Sequence, residues 1–96
     1  MANPSGISRY RLSRHAARSM RGREIDLKEV EEVLRSPQQR IVLSANRDVL
    51  QSKVGPANRV RLLRIIVDFD TDPPAIVSVY KTTKINKINK YWRSSS

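Results

Sequence analysis

The sequence predicts an α+β domain in which two N-terminal helices pack on a four-stranded antiparallel sheet, with a short basic C-terminal tail behind it. Three observations predict this. Apolar residues recur at helical spacing as far as Pro37, period-two alternation takes over from Gln39, and turn formers then divide the alternation at Asn46-Arg47-Asp48, Gly55-Pro56 and Asp70-Thr71-Asp72-Pro73-Pro74. Helices first and strands afterwards is the order of an α+β fold. The 96 residues have room for one core. They divide into a flexible arm over 1–8, a single domain over 9–92 and a tail over 93–96.

Each element has its own local reason. Ser13 caps a short first helix that Gly22 ends at the C′ position, and Leu12, Ala16 and Met20 line its inner side. At 100° per residue His15 lies about 100° from the centre of that stripe, on the flank shared with Arg11 and Arg18. Such a histidine is reachable from solvent. The second helix starts at a capping box, Asp26 with Glu29, beside a hydrophobic staple of Ile25 and Val30. Ile25, Val30, Val33 and Leu34 form its buried stripe, Lys28, Glu31 and Glu32 its wet side, and Ser36-Pro37 stops it.

Strands follow at about 39–44, 49–54, 59–69 and 75–82. Alternation puts Leu63, Ile65, Val67, Phe69, Val77 and Val79 against the helices. The other face then collects Arg64, Ser78, Tyr80 and Thr82, with Gln51 and Lys53 joining them if Leu50 and Val54 point inward. In the last stretch, which repeats Lys-Ile-Asn, residues Ile85, Ile88 and Trp92 align on a helix, and an extended edge fits as well.

The net charge of +10 sits at the two ends. Residues 1–23 hold six arginines and no acid, residues 81–96 hold Lys81, Lys84, Lys87, Lys90 and Arg93 and no acid, and the segment between them is near neutral. Cations so placed favour polyanions, because neutralising phosphates releases counterions. The absence of cysteine excludes disulfides, thiolate nucleophiles and cysteine-held zinc, and one histidine leaves little for a transition metal, so no metal or cofactor is expected. The arginine-rich start lacks the apolar run of a signal peptide, and no stretch approaches the roughly 20 apolar residues of a membrane span.

Metal-free RNA cleavage needs a base for the ribose 2′-hydroxyl, an acid for the leaving 5′-oxygen and cations around the phosphate. The side chains gathered here include all of these types. His15 has the only side chain whose ordinary pKa lies near neutrality, and Arg11, Arg14 and Arg18 beside it would favour its neutral form, as a base requires. Structural roles fit the same residues: a lone helical histidine also packs, Arg64 also pairs with Asp48 or Asp68, and Tyr80 also covers a sheet face.

Three blocks together carry a resemblance: Ser13 to Met20 leading into Ile25 to Pro37, Arg61 to Asp68, and Val77 to Thr82 running on into Lys84-Ile85 and Lys90-Tyr91-Trp92. They resemble the RelE-like ribonuclease domains that end bacterial polymorphic and contact-dependent inhibition toxins, within the barnase, EndoU, colicin and RelE group. The resemblance implies the two-helix, four-strand fold and a metal-independent endonuclease, often directed at transfer RNA. It implies His15 as acid or base, Arg64 as phosphate holder and Tyr80 or Thr82 as the group completing the site; Lys53 joins them by strand parity only, and the charge pattern puts Arg11, Arg14, Arg18, Lys81 and Lys84 on the RNA. It also implies action in the bacterial cytoplasm after delivery from a larger secreted protein, and a cognate immunity or antitoxin protein, which a +10 domain would capture fastest if that partner were acidic. The doubled Lys-Ile-Asn triplet departs from the single copy the pattern expects. Two other readings stay open, a ribosome-dependent mRNA interferase and a non-catalytic RNA-binding module.

Overall fold

In the computed structural model, which describes residues 6–83, the second helix begins where its capping box sits. The Asp26 carboxylate accepts from the Lys28 N–H at 3.2 Å and the Glu29 carboxylate accepts from the Asp26 N–H at 3.3 Å, which satisfies donors that a helix start leaves open. This helix, α2 (Leu27–Arg35), and α1 (Arg14–Gly22) lie on one face of a five-stranded sheet. Its strands are β1 (Arg11–Leu12), β2 (Gln39–Ser44), β3 (Arg47–Val54), β4 (Arg61–Asp68) and β5 (Ala75–Thr82), in the order β1-β5-β4-β3-β2.

The fifth strand corrects the expected four-stranded antiparallel sheet. The sheet is mixed: β1 runs parallel to β5, and the remaining pairs are antiparallel. The Arg11 N–H donates to Pro74 O at 2.8 Å and the Ser13 N–H to Ile76 O at 3.1 Å, so β1 closes the edge that β5 would otherwise expose. Two residues are too few to write a period-two signal. Arg11 therefore belongs to this strand and not to the flank of α1. The chain reaches β1 along α2: the Ile7 N–H donates to Leu34 O at 2.7 Å and the Tyr10 hydroxyl to Glu31 at 2.7 Å. Gly6 is required on that path, because a Cβ there would overlap the carbonyl oxygens of Leu34 and Arg35.

Ser13 caps α1 as expected, its Oγ accepting from the Ala16 N–H at 3.0 Å. The other end differs. Gly22 is still helical, Arg23 is the C-cap, and the left-handed residue is Glu24 at φ 53°. The Ile25 N–H reaches back to Met20 O at 2.9 Å while both side chains are buried, which is the Schellman arrangement with its apolar contact. The helix stops where burial of Ile25 demands it, one turn before α2.

Ala16 and Met20 of α1 and Val30, Val33 and Leu34 of α2 form one core with Leu50, Leu63, Ile65, Val67, Ile76 and Val79 of the sheet. Alternation anticipated this set except at Ile76, in whose place it put Val77. A bulge between Ile66 and Val67 of β4 shifts the register against β5, so that Val67 faces Ile76 and Val77 is the extra residue. β3 begins at Arg47, inside the expected turn, and β4 begins at Arg61 because Ala57–Arg59 forms a 3-10 turn after Gly55, whose φ of 94° suits glycine. Among the described residues no helix is long and apolar enough to cross a membrane.

Candidate functional site

The sheet register places Gln39 opposite Gln51, Gln51 opposite Arg64, and Arg64 opposite Tyr80, so one side chain from each of four adjacent strands stands in a single row. All four project from the face turned away from the helices, since their inward neighbours Leu50, Ile65 and Val79 belong to the helix-side core. The row is hydrogen-bonded along its length. Arg64 Nη1 donates to the Tyr80 hydroxyl at 2.6 Å, Arg64 Nε donates to Gln51 Oε1 at 2.9 Å, and Gln51 Nε2 donates to Gln39 Oε1 at 2.7 Å. The guanidinium carbon also lies 5.7 Å from the centroid of the Tyr80 ring, a cation–π distance.

This arrangement fixes the chemistry each group offers. Gln51 is fully buried, and both ends of its amide are used, which sets its orientation: the oxygen must face the cation. The guanidinium is thereby held in one plane at the middle of the sheet, and a planar fork of donors is suited to a phosphate or carboxylate. The Tyr80 oxygen accepts from Arg64, so its own proton points elsewhere and is available to a third group. Neither Asp48 nor Asp68 is the partner of Arg64. Asp48 binds Arg40 at 2.7 Å and Asp68 binds Arg47 at 3.3 Å. Asp68 also accepts from the Asp70 N–H, and that bond, followed by the Arg47 guanidinium, holds its carboxyl below the usual carboxylate range.

The remaining expected residues divide between the two faces. Thr82 is on the face of the row, opposite Leu62, and Lys53 stands opposite Leu62 from the other strand. His15 is exposed on α1, and α1 packs through Ala16 and Met20 on the helix-side core, so the sheet separates His15 from the Arg64–Tyr80 pair. Lys81 also points to the helix side, where its ammonium binds Glu29 at 3.0 Å. Arg14 and Arg18 are exposed on the outer side of α1 together with Arg21, and none of the three is ion-paired among the described residues. Arg11, also exposed, donates to Thr71 at 3.3 Å. Lys84 lies outside the described residues, as do Ile85, Ile88, Tyr91 and Trp92.

Gln39 is the member that sequence reasoning did not single out. Its link to Gln51 depends on the pairing of β2 with β3, which alternation within one strand does not specify. A groove of about 460 Å³ between α2 and β3 lies elsewhere, lined by Glu29, Glu32, Val33 and Val54 among others.

Residues 12–81 match the family model described as Domain of unknown function (DUF4258), and the chain belongs to that family. No curated protein and no solved structure matches it.

Proposed function

We propose that this DUF4258 domain is a metal-independent RNA endonuclease, a toxin of the RelE-like ribonuclease kind that acts on transfer RNA in the bacterial cytoplasm. The observation that carries the reading is the Tyr80–Arg64–Gln51–Gln39 row. It presents an oriented cation and an adjacent hydroxyl with a proton to give, the pair that an in-line phosphodiester cleavage uses at its leaving side. In that reaction the ribose 2′-hydroxyl gives its proton to water as its oxygen bonds to phosphorus, the bond to the 5′-oxygen breaks, Arg64 balances the charge on the phosphoryl oxygens, Tyr80 protonates the departing oxygen, and a proton from water then restores the phenol. The exposed arginines of α1, on the helix side of the domain, add to the positive field that draws RNA to it. An acidic immunity protein is the partner this charge favours.

Incubating the domain with total RNA in the presence of EDTA and sequencing the new 3′ ends tests the reading. Discrete cuts in transfer RNA that vanish in Arg64→Ala are expected, and a folded protein that leaves all RNA intact overturns it. The separation of His15 from the row favours a second reading, a non-catalytic RNA-binding module, which would show salt-sensitive binding without cleavage. Cuts that appear only when ribosomes are added would instead identify an mRNA interferase.

A further inference from the structure

The groove beside α2 continues past the end of β3. A second cavity of about 320 Å³ adjoins it, and Glu29, Val54 and Gly55 line both, so the two are halves of one groove on the helix side of the sheet. Each half falls in the range of roughly 300–1,000 Å³ that small-ligand pockets occupy. Alternation carries two cations to the smaller half. Arg61 stands two residues before Leu63 and Lys81 two after Val79, and both apolar partners belong to the helix-side core. Arg59 arrives from the 3-10 turn between β3 and β4. Gly55 sets the position of that turn: at φ 94° its backbone passes so near the Arg59 carbonyl oxygen that an added Cβ would lie 2.9 Å from it. Lys81 is bound to Glu29, whereas Arg59 and Arg61 make no ion pair among the described residues. Three cations thus face one carboxylate.

The larger half has the opposite character. Glu32 joins Glu29 there, with the hydroxyls of Ser36 and Ser52 and the amide of Gln38, above the apolar side chains of Val33 and Val54. Adjoining halves of this kind specify a ligand with two unlike ends. Guanidinium and ammonium donors take the oxygens of an anion, and a phosphomonoester presents three of them with close to two negative charges at neutral pH. Carboxylates accept from hydroxyl groups, as acidic side chains do from a ribose. We propose that this groove binds a sugar phosphate, its phosphate on Arg59, Arg61 and Lys81 and its hydroxyls towards Glu32. The Arg64–Tyr80 row lies on the other face of the sheet, so the site is separate from it and does not rest on the ribonuclease reading.

Titrating the full chain with inorganic phosphate and with ribose 5-phosphate, followed by amide NMR at constant ionic strength, tests the proposal. Saturable shifts are expected at Gly55, Arg59 and Arg61, with ribose 5-phosphate binding on the order of 10-fold more tightly than phosphate. Arg59→Gln with Arg61→Gln should weaken both ligands on the order of 10-fold or more. Arg9→Gln with Arg35→Gln removes the same charge from exposed positions that do not line the groove and should leave both affinities nearly unchanged. Glu32→Ala should shrink the advantage of ribose 5-phosphate over phosphate. The proposal is overturned if these amides show no saturable shift, if the two double variants lose affinity equally, or if the sugar adds nothing to the binding of phosphate. No RNA is present in the measurement, so its failure and the failure of the ribonuclease reading are separate results.

Discussion

Arg64 is the residue on which most of the second face depends, and its partners define how it fails. Tyr80→Phe keeps the ring beneath the cation but removes the acceptor of the Nη1 donor. A hydrogen bond to a charged group is worth about 1.5–3 kcal/mol. We expect a loss near the lower end of that range, because Arg64 is only half-buried, measured as a shift in the urea midpoint at constant slope. If the proposed chemistry holds, the same variant cuts RNA on the order of 10²-fold more slowly. Tyr10 supplies a second test. Burial, followed by the hydrogen bond to Glu31 and the charge of that carboxylate, pushes its phenol from 10.0 up to about 12. A raised folded value means that the protonated form is the one folding favours, so its contribution is complete below pH 10 and is lost as the pH rises from 10 towards 12. The stability difference between the native chain and Tyr10→Phe should therefore shrink over that interval, and a constant difference would contradict the assignment. At this scale alternation alone placed Arg64 and Tyr80 on one face. What it could not supply were the partners: Asp48 on the adjacent strand and Asp68 on the same strand both looked able to pair with Arg64, and the structure shows that each is bound to another arginine.

Elements were legible where a local rule sufficed and missed where the neighbour decided. The capping box of α2 and the limits of β2 and β5 follow from a few adjacent residues. β1 exists because the exposed edge of β5 needs donors, and the bulge at Val77 exists because β4 and β5 must stay paired past it, and neither requirement is written in the residues themselves. The end of α1 belongs to the second kind. A glycine two residues upstream looked like the stop, yet the left-handed position fell to Glu24, because the chain must turn at the point that brings Ile25 over Met20. A non-glycine residue in that conformation costs about 1–2 kcal/mol. Glu24→Gly should recover part of it, raising stability by about 1 kcal/mol in thermal or urea unfolding, while Gly22→Ala, at a helical position with open space around the added methyl, should also stabilise by about 0.5–1 kcal/mol. A destabilised Glu24→Gly would mean that the carboxylate, and not the backbone, sets the turn.

For the whole molecule the issue is what the excess charge of +10 is for. Four of the nine acids are committed: Asp48, Asp68 and Glu29 neutralise cations on the sheet, and Glu31 accepts from Tyr10. Among the described residues the arginines of α1 have no such partners. Arg14, Arg18 and Arg21 recur at helical spacing on the side opposite Ala16 and Met20, so the geometry that buries the core also lines up three guanidinium groups along the solvent edge of the molecule. If that line is where RNA is held, each arginine displaces counterions from about one phosphate, and for single strands each contact contributes about 0.7 to the slope of log affinity against log salt. Replacing all three with Gln should then lower the magnitude of the slope by about 2. Replacing Lys28, Arg35 and Arg59, which are also exposed, removes the same net charge from the other helix and the turn before β4. That second variant should weaken binding slightly through the overall field and leave the slope nearly unchanged. Filter-binding titrations of both variants over a series of salt concentrations distinguish the two cases. Equal losses of slope would mean that RNA responds to the total charge of the domain, whereas a loss confined to the α1 variant ties binding to the surface on which α1 lines up its guanidinium groups.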